Sequence, residues 1–495
     1  MIRAAKLMLA GVSTLALTLP SFAQDVAQAE SAWYKDGEAS IEAMIAAKPN
    51  TGRAKNVILF VADGMGVGTN YAIRLFAGQL EGKLGEEHVL PYEAFPNTAL
   101  IKTYNINAQT PDSAPTAGAL NTGVKQVFNT INLNENGRYD NCASEEGNRL
   151  TLFSELVAAS GKSVGVVSTA RATHATPAAV YAKTANRNWE AGAPEGCTDI
   201  AIQAIEQMEA GVVDVLLAGG ARNFYPADAQ TPAGGKSSRK DDLDLVARAQ
   251  AAGAQFVTDK SGLDAVTAGT PLLGLFTDSD MNYETERPET EPSVADMTVA
   301  AIKALEGNEN GFYLMVEGGR VDHANHAGNA NRAFMDGVAF ARAVALADEM
   351  TDDEDTLIIV TADHEHAIAF NGYCGRGTPI TGLCMGINGD GIEHTGEPEL
   401  ADDGKPYSVV GYLNGAGSVL TRQADGSYFG TRPSVTQEEA MDVDYLQQSL
   451  IPMGSETHSG EDVAAWAKGP WAHLLSGTRE QNYIFHVMNH AVSAE

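Results

Sequence analysis

Runs of consecutive apolar residues recur along the chain and predict strands that are buried on both faces. Three such runs end at a carboxylate or an imidazole, namely residues 57–62 before Asp63, residues 312–316 before Glu317, and residues 356–362 before Asp363 and His364. Ligand sites of open α/β sheets lie outside the carboxyl ends of the strands. We therefore expect these three strand ends to meet in one centre that holds more than one metal ion.

Helical periodicity fills the intervals between the apolar runs. It predicts helices at residues 32–47, 69–76, 152–159, 199–209, 243–252, 294–305 and 331–350, and further strands at 98–104, 163–169, 213–218 and 272–276. The alternation of strands and helices through residue 366 is typical of a doubly wound sheet. The sequence thus predicts an α/β three-layer sandwich, with a central, mostly parallel β-sheet and helices on both faces.

The pattern changes over residues 371–429, which are rich in glycine and threonine and contain two of the four cysteines. Short strand-like pieces such as residues 407–412 replace the long apolar runs. We interpret this stretch as a small inserted β-rich subdomain. Regular structure resumes at residues 463–468.

The N-terminus has the pattern of a secretory signal. Arg3 and Lys6 precede the apolar residues 7–19, and Ser21-Phe22-Ala23 offers small residues for cleavage after Ala23. The apolar stretch is too short to span a bilayer comfortably, and no later stretch is typical of a membrane helix. We expect residues 1–23 to be removed and the mature protein to be secreted or periplasmic, without a stable membrane anchor; a retained anchor is the alternative.

Four cysteines fit an oxidising compartment, and they allow three pairings: Cys142, Cys197, Cys374 and Cys384. Cys374 and Cys384 would close a short local loop, which favours that bridge and leaves Cys142 to pair with Cys197. A zinc site made of these thiols would need closer spacing.

The composition limits the partners. The chain has 495 residues, 44% of them hydrophobic, which suffices for a large core. Lys and Arg number 33 against 64 Asp and Glu, so the formal charge is −31. This charge argues against a nucleic-acid-binding surface and against anionic membranes. An anionic substrate would depend on local metals and arginines, and we interpret the acidity itself as a solubility feature.

Histidines concentrate in the stretches that carry the candidate ligands. Six of the 11 lie there: His174, His323, His326, His364, His366 and His458. Asp322 and His326 are four residues apart, which places them on one face of a helix. Mixed carboxylate and imidazole sets suit zinc. The glycine-rich residues 64–68 do not have the dinucleotide-binding spacing.

Ser113 is the candidate nucleophile. Asp112 or Ser113 followed by small residues is typical of a helix N-terminus, where the helix dipole favours a phosphate or a developing oxyanion. An ordinary capping serine is the alternative, but nearby metal ligands would favour a nucleophile. Arg187 offers a planar fork for two phosphate oxygens.

These motifs together resemble the alkaline phosphatase family. The resemblance runs in order from about Lys55 to the C-terminus through V-A-D-G-M-G, P-D-S-A, T-H-A-T-P-A, N-R-N-W, V-E-G-G-R-V-D-H-A-N-H, T-A-D-H-E-H and E-T-H-S-G-E-D-V. It implies a secreted, homodimeric phosphomonoesterase that acts on small-molecule phosphate monoesters and holds two zinc ions and one magnesium ion per subunit.

The resemblance also implies a role for each matching residue. Ser113 would become the phosphoserine and Arg187 would hold the phosphate. The metal sets would be Asp322, His326 and His458 for the first zinc, Asp63, Asp363 and His364 for the second, and Asp63, Thr176 and Glu317 for magnesium.

At two positions this chain has histidine where some members of the family have another residue. Some members have Asp and Lys where this chain has His174 and His323, and histidines at both places resemble the animal-type enzymes. We expect both imidazoles to hydrogen-bond behind the metal ligands. Animal-type members also bind calcium near residues 275–293, but Thr277 stands where an acid would help, although Glu291 remains, so no calcium site is expected.

The local sequence patterns and the resemblance together divide the chain into four predicted parts. Residues 1–23 are the signal peptide, 24–54 an N-terminal helical arm that is a candidate dimer contact, and 55–495 the catalytic domain, within which 371–429 resembles the surface "crown" of the family.

Other functions make different demands on the sequence. A sulfatase of this fold group would need an arginine after the proline that follows Ser113, and a phosphodiesterase would usually present a threonine and no counterpart of Arg187. A secreted phosphate-binding protein would need no serine beside a two-metal site.

Overall fold

The computed structural model describes residues 26–494; the predicted signal peptide lies outside the described residues. The helices are α1 (Ala32–Ala46), α2 (Val67–Leu80), α3 (Ser113–Thr122), α4 (Phe153–Ala159), α5 (Ala175–Ala178), α6 (Ile200–Glu209), α7 (Leu245–Ala251), α8 (Lys260–Asp264), α9 (Val294–Leu305), α10 (Arg320–His326), α11 (Ala330–Glu349), α12 (Gln437–Met441) and α13 (Tyr483–Ser493).

The strands, in chain order, are β1 (Asn56–Val61), β2 (Asn97–Lys102), β3 (Ser163–Arg171), β4 (Val215–Gly219), β5 (Gln255–Val257), β6 (Leu272–Leu275), β7 (Phe312–Glu317), β8 (Thr356–Thr361), β9 (Glu365–His366), β10 (Ile368–Phe370), β11 (Val410–Gly415), β12 (Thr421–Arg422), β13 (Tyr428–Phe429), β14 (Ser449–Pro452), β15 (His458–Ser459), β16 (Val463–Lys468) and β17 (Gly477–Glu480).

The described residues form two compact units that divide between Lys48 and Pro49. The first unit contains α1, which ends within one residue of the predicted bound. Its large apolar side chains are exposed: Trp33, Ile41, Met44 and Ile45. None of the described helices combines the length and the apolar character needed to cross a bilayer.

The second unit is built on a ten-stranded sheet in the order β17-β2-β16-β8-β1-β7-β3-β4-β6-β5. The strands from β8 to β5 all run parallel, and β16 is antiparallel to both of its neighbours. The three apolar runs singled out in the sequence are β8, β1 and β7, and they lie side by side at the centre. Every residue of β7 and β8 is buried, as expected for strands covered on both faces.

Helices cover both faces of this sheet, as predicted. Helix α11 packs against both α2 and α9, and α3 packs against α4, α5 and α13. Both α9 and α4 contact β3 and β7. Tyr313 of β7 meets Phe153 of α4, with ring centroids 4.8 Å apart, whereas the next residue, Leu314, lies with Leu305 of α9 beside Gly165. Because successive side chains of a strand point to opposite faces, the two groups of helices lie on opposite faces of the sheet. On one face Phe340 of α11 meets Phe60 of β1 edge to face, with ring centroids 5.7 Å apart.

Helix α2 is longer than the predicted helix at residues 69–76. It begins at Val67 because the buried Glu365 carboxylate accepts hydrogen bonds from the N–H groups of Gly68 and Thr69, at 2.8 and 3.3 Å. These donors have no partner within the helix. A glutamate nearly 300 residues away in sequence thus does what a local cap residue usually does.

The small β region is larger than the predicted insertion. Strands β10, β11 and β14 form a three-stranded sheet, and β12 and β13 form a separate hairpin. Strand β10 precedes residue 371 and β14 follows residue 429, so the stretch 371–429 does not complete its own sheet. The predicted strand at residues 407–412 is β11, three residues further along.

Candidate metal centre

Three acidic side chains meet at the carboxyl ends of neighbouring strands. Asp63 follows β1, Glu317 ends β7, and Asp363 follows β8. Because β1 lies between β8 and β7, the three carboxylates share one edge of the sheet, and all three are fully buried. The carboxylates have almost no solvent to stabilise their charge, so the site favours a bound cation.

A first cluster forms where α10 meets β15. Asp322 Oδ1 lies 3.3 Å from Nε2 of His326 and 3.3 Å from Nε2 of His458, and the two Nε2 atoms are 3.0 Å apart. The Nδ1 atoms donate to the carbonyls of Glu456 and Pro111, at 2.6 and 2.9 Å.

Burial lowers the pKa of both His326 and His458, which favours neutral rings. Since each ring already has its proton on Nδ1, the bare lone pairs of the two Nε2 atoms face each other and a carboxylate. Such an arrangement fits a zinc ion, whose ligands are neutral imidazole nitrogens and carboxylate oxygens.

A second cluster contains Asp63, Asp363 and His364. Nε2 of His364 lies 3.2 Å from Asp63 Oδ1 and 3.6 Å from Asp363 Oδ2, and this last oxygen is buried without a hydrogen-bond partner. A buried, unpartnered carboxylate oxygen beside an imidazole nitrogen also fits a metal ion.

A third cluster surrounds the other oxygen of Asp63. Thr176 Oγ1 lies 3.5 Å from Asp63 Oδ2, and Glu317 accepts a short hydrogen bond from the Ser168 hydroxyl through Oε2. Glu317 Oε1 and His174 Nδ1 are 4.0 Å apart, and neither has a hydrogen-bond partner. The oxygen-rich set suits a hard cation such as magnesium.

Burial and the close approach of the carboxylates to one another and to the histidines shift the pKa values of the acids. Burial, with the charge of Asp322, raises the pKa of Asp63 to about 7, and burial with the charge of Asp63 raises the pKa of Asp363 to about 7. Burial and Asp63 also hold the pKa of Glu317 well above its usual value. Asp322 differs: burial opposes its ionisation, but His326, His366 and His458 hold its pKa well below the usual value. A cation among these groups would offset the repulsion between the acids.

Ser113 occupies the first turn of α3, beside the second cluster. Its Oγ lies 3.0 Å from Nε2 of His364 and 3.4 Å from Asp63 Oδ1, and only 2% of the residue is exposed. The helix contains small residues and is buried along its whole length. The positive end of its dipole therefore points at the acidic edge of the sheet.

Asp112 precedes Ser113, but its carboxylate does not cap the helix. One oxygen pairs closely with Arg187 and the other accepts the N–H of Asn129 at 3.0 Å. Tertiary partners therefore replace the local capping bond that the sequence suggested. Arg187 also donates from Nη2 to Nε2 of His174, at 2.9 Å. The guanidinium thus stands between Asp112 and the third cluster.

The two histidines expected behind the ligands each accept from an arginine. His323 Nδ1 lies 2.9 Å from Nη1 of Arg320, and the rings of His174 and His323 are 5.3 Å apart. His174 differs from His323 because its Nδ1 faces Glu317 Oε1 at 4.0 Å. Since Nε2 accepts from Arg187, the proton of the neutral ring lies on Nδ1, and His174 stands behind the third cluster as a hydrogen-bonding group.

Sequence reasoning did not assign His366 and Glu456. His366 Nε2 lies 2.9 Å from Asp322 Oδ1, and its Nδ1 lies 2.6 Å from Glu456 Oε2. Burial disfavours the charged ring, but Glu456 and Asp322 raise the pKa of His366 well above its usual value. The T-A-D-H-E-H motif contains His366 and the E-T-H-S-G-E-D-V motif begins at Glu456. That these two side chains contact each other became visible only in the structure.

Similarity to known proteins extends over most of the chain. The sequence profile of the family described as "Alkaline phosphatase" matches residues 54–494. An alkaline phosphatase of Gadus morhua is 42% identical over 461 residues, which cover 89% of this chain and 92% of that protein. The tissue-nonspecific isozyme of Homo sapiens is 40% identical over 465 residues, covering 90% of this chain and 84% of that protein.

Two solved bacterial structures have the same fold. The alkaline phosphatase of Thermus thermophilus is 25% identical with a TM-score of 0.65, over 92% of this chain and 94% of that chain. The alkaline phosphatase of the Antarctic bacterium TAB5 is 22% identical with a TM-score of 0.61, over 90% of this chain and 99% of that chain.

Proposed function

Because the chain belongs to the alkaline phosphatase family, whose members are metal-dependent phosphomonoesterases, we propose that it hydrolyses phosphate monoesters through a phosphoserine intermediate at Ser113. One observation carries this proposal: the Ser113 hydroxyl lies at a helix N-terminus, 3.0 Å from His364 and 3.4 Å from Asp63, beside buried acids that fit metal ions. Ser113 Oγ would form a bond to phosphorus while the bond to the alcohol oxygen breaks. Water would then cleave the phosphoserine, which releases phosphate and restores the hydroxyl.

We assign the metals by the chemistry of the donors. Asp322, His326 and His458 would hold one zinc ion, and Asp63, Asp363 and His364 would hold the second. Asp63, Thr176 and Glu317 would hold magnesium. When bound, such ions lower the pKa of an attacking oxygen and neutralise charge on the phosphoryl group.

Arg187 would bind two oxygens of the phosphate through its planar fork. Asp112 holds one side of the guanidinium and His174 accepts from the other. Both partners hold the Arg187 guanidinium in place before the substrate binds. The side chain therefore loses less conformational freedom when it binds the phosphate.

Several properties of the whole protein are part of the same proposal. They are removal of residues 1–23, export to the periplasm or the medium, a homodimer in which residues 24–54 act as an arm, a catalytic domain over 55–495, and a crown-like subdomain built around 371–429. The two disulfides, Cys142–Cys197 and Cys374–Cys384, support export.

The experiment compares p-nitrophenyl phosphate turnover of the native protein, Ser113→Ala and Ser160→Ala, each with and without EDTA. Ser160 is the matched control, because its hydroxyl donates to the Val157 carbonyl at the end of α4 and has no contact with the site. We expect Ser113→Ala to lose at least about a thousandfold in kcat, Ser160→Ala to keep full activity, and EDTA to abolish turnover. Trapping of a phosphorylated peptide that contains Ser113 would identify the intermediate.

Two parallel substrates separate related chemistries. Faster cleavage of p-nitrophenyl sulfate or of bis-p-nitrophenyl phosphate than of the monoester would contradict the proposed substrate class. Full activity of Ser113→Ala would contradict the phosphoserine.

A further inference from the structure

We propose that a groove between α9 and α11 binds a single-chain anionic amphiphile, a long-chain alkyl carboxylate. The groove has a volume of about 670 Å³ and is bordered by α8 and by the loop that precedes α9. This volume lies within the range of small-molecule sites, and such sites occur between helices. None of its lining residues belongs to the metal centre.

Apolar side chains that the protein leaves only partly covered form the floor of the groove. Val299 projects from α9, and Val338 and Leu346 project from α11. Val266, which follows α8, adds a fourth partly buried side chain. Each of these side chains would lose further contact with water if an alkyl chain lay over it, and that loss favours binding.

The carboxylates around the groove already have partners. Lys260 pairs with Asp264 at 2.9 Å and with Asp296 at 3.0 Å. Arg287 pairs with Glu284 at 2.7 Å. Lys260 and Arg287 offset two of the three negative charges of Asp264, Asp296 and Glu284, so this part of the rim keeps one net negative charge.

Two cations at the rim have no such partner. Among residues 26–494, neither Lys303 nor Arg342 has a carboxylate oxygen within 4.0 Å. With Lys260 and Arg287 they make four cations against three carboxylates, so the rim has a net charge of +1 in a chain whose formal charge is −31. An ammonium and a guanidinium match a carboxylate head group, which the guanidinium can bind through two N–H groups.

The positions of these cations define how the ligand would lie. Lys303 is in the last turn of α9, and Arg342 lies one turn before Leu346 on α11. From Arg342 back to Met335 the lining positions of α11 span about 10 Å at the helical rise. With its head group at Lys303 and Arg342, a twelve-carbon chain is long enough to cover this distance with its tail toward Met335.

The test uses the metal-loaded full chain and dodecanoate, held below its micelle concentration, in isothermal titration calorimetry. We expect one saturable site per chain, and no competition from dodecyltrimethylammonium. The variant K303Q/R342Q should raise the dissociation constant about tenfold, since two exposed ion pairs are lost. Ala339→Phe, which fills the groove, should abolish binding.

The matched control is R53Q/K55Q. It removes the same net charge through two other cations without a carboxylate partner among the described residues, and it should change the dissociation constant less than twofold. Unchanged p-nitrophenyl phosphate turnover in every variant would show that each is folded.

Three results would overturn the proposal. They are the absence of saturable dodecanoate binding, an equal loss in R53Q/K55Q and K303Q/R342Q, and full binding by Ala339→Phe. A change in oligomeric state in Ala339→Phe without loss of dodecanoate binding would assign the groove to contact between copies of the chain instead.

Discussion

Asp63 is shared between two of the three clusters, and this sharing gives the sharpest prediction. Its Oδ1 faces His364 and Ser113, at 3.2 and 3.4 Å, whereas its Oδ2 faces Thr176 at 3.5 Å. Asp63→Asn keeps the shape of the side chain and removes the charge. We expect it to weaken metal binding at two sites at once, whereas Asp322→Asn, the matched control, weakens binding mainly at one.

The size of the effect follows from the position of the carboxylate. Groups that only orient a ligand change metal affinity by about 10- to 100-fold, so a charged ligand itself should contribute more than about 100-fold at each site. After dialysis against buffered zinc and magnesium, elemental analysis should find Asp63→Asn depleted at two sites and Asp322→Asn depleted at one. Near-ultraviolet circular dichroism checks that both variants are folded.

Asp63→Asn should weaken metal binding, but in the metal-free protein the same substitution should increase the free energy of unfolding. Burial, with the charge of Asp322, raises the pKa of Asp63 to about 7 from 3.8, so the folded state holds this proton more tightly than the unfolded state. The resulting stabilisation is complete below pH 4 and is lost as the pH rises to about 7. At about 1.4 kcal/mol for each pH unit, metal-free Asp63→Asn should be more stable than the native chain by about 4 kcal/mol at pH 8, and equally stable at pH 4.

Denaturant unfolding in EDTA at both pH values measures this difference. Loss of a single metal by Asp63→Asn would refute the shared-ligand geometry. A metal-free Asp63→Asn protein that is less stable than the native chain at pH 8 would refute the electrostatic account.

Three further predictions concern stability. Burial raises the pKa of Asp336 to about 8, so stability should fall by about 1.4 kcal/mol per pH unit between pH 4 and 8, and Asp336→Asn should remove this slope in urea titrations. Gly66→Ala should cost more than about 2 kcal/mol, since its Cβ would lie 2.3 Å from Glu365 Oε2, whereas Gly37→Ala, with open space around it, should not destabilise the protein. Replacing Cys142–Cys197 by serines should lower the free energy of unfolding by about 4 kcal/mol because the bridge closes 55 residues; an unchanged denaturation midpoint would contradict this.

The sequence alone determined the elements whose stability is local. Helix α9 spans Val294–Leu305, as predicted, because Ser293 and Asp296 form a capping box at its start. Strands β1, β7 and β8 were recognisable because strands covered on both faces require continuous apolar runs. Asp63, Glu317 and Asp363 were recognisable because each lies where one of these apolar runs ends.

The family resemblance added roles for residues, but the geometry among them required the tertiary structure. Nothing in the sequence near Asp112 indicated that its carboxylate would bind Arg187 instead of capping α3. The contact of Glu456 with His366 joins residues 90 positions apart.

The limits of the small β-sheet also depended on distant pairing. Strands β10 and β14 are short, and both pair with β11 in the small sheet. Periodicity reports which face of a local segment is buried, because burial repeats every two or 3.6 residues. The partner of that face is selected by packing across the whole chain, and no local pattern encodes it. The strand order β8-β1-β7, which brings Asp363, Asp63 and Glu317 together, was therefore decided by the tertiary structure.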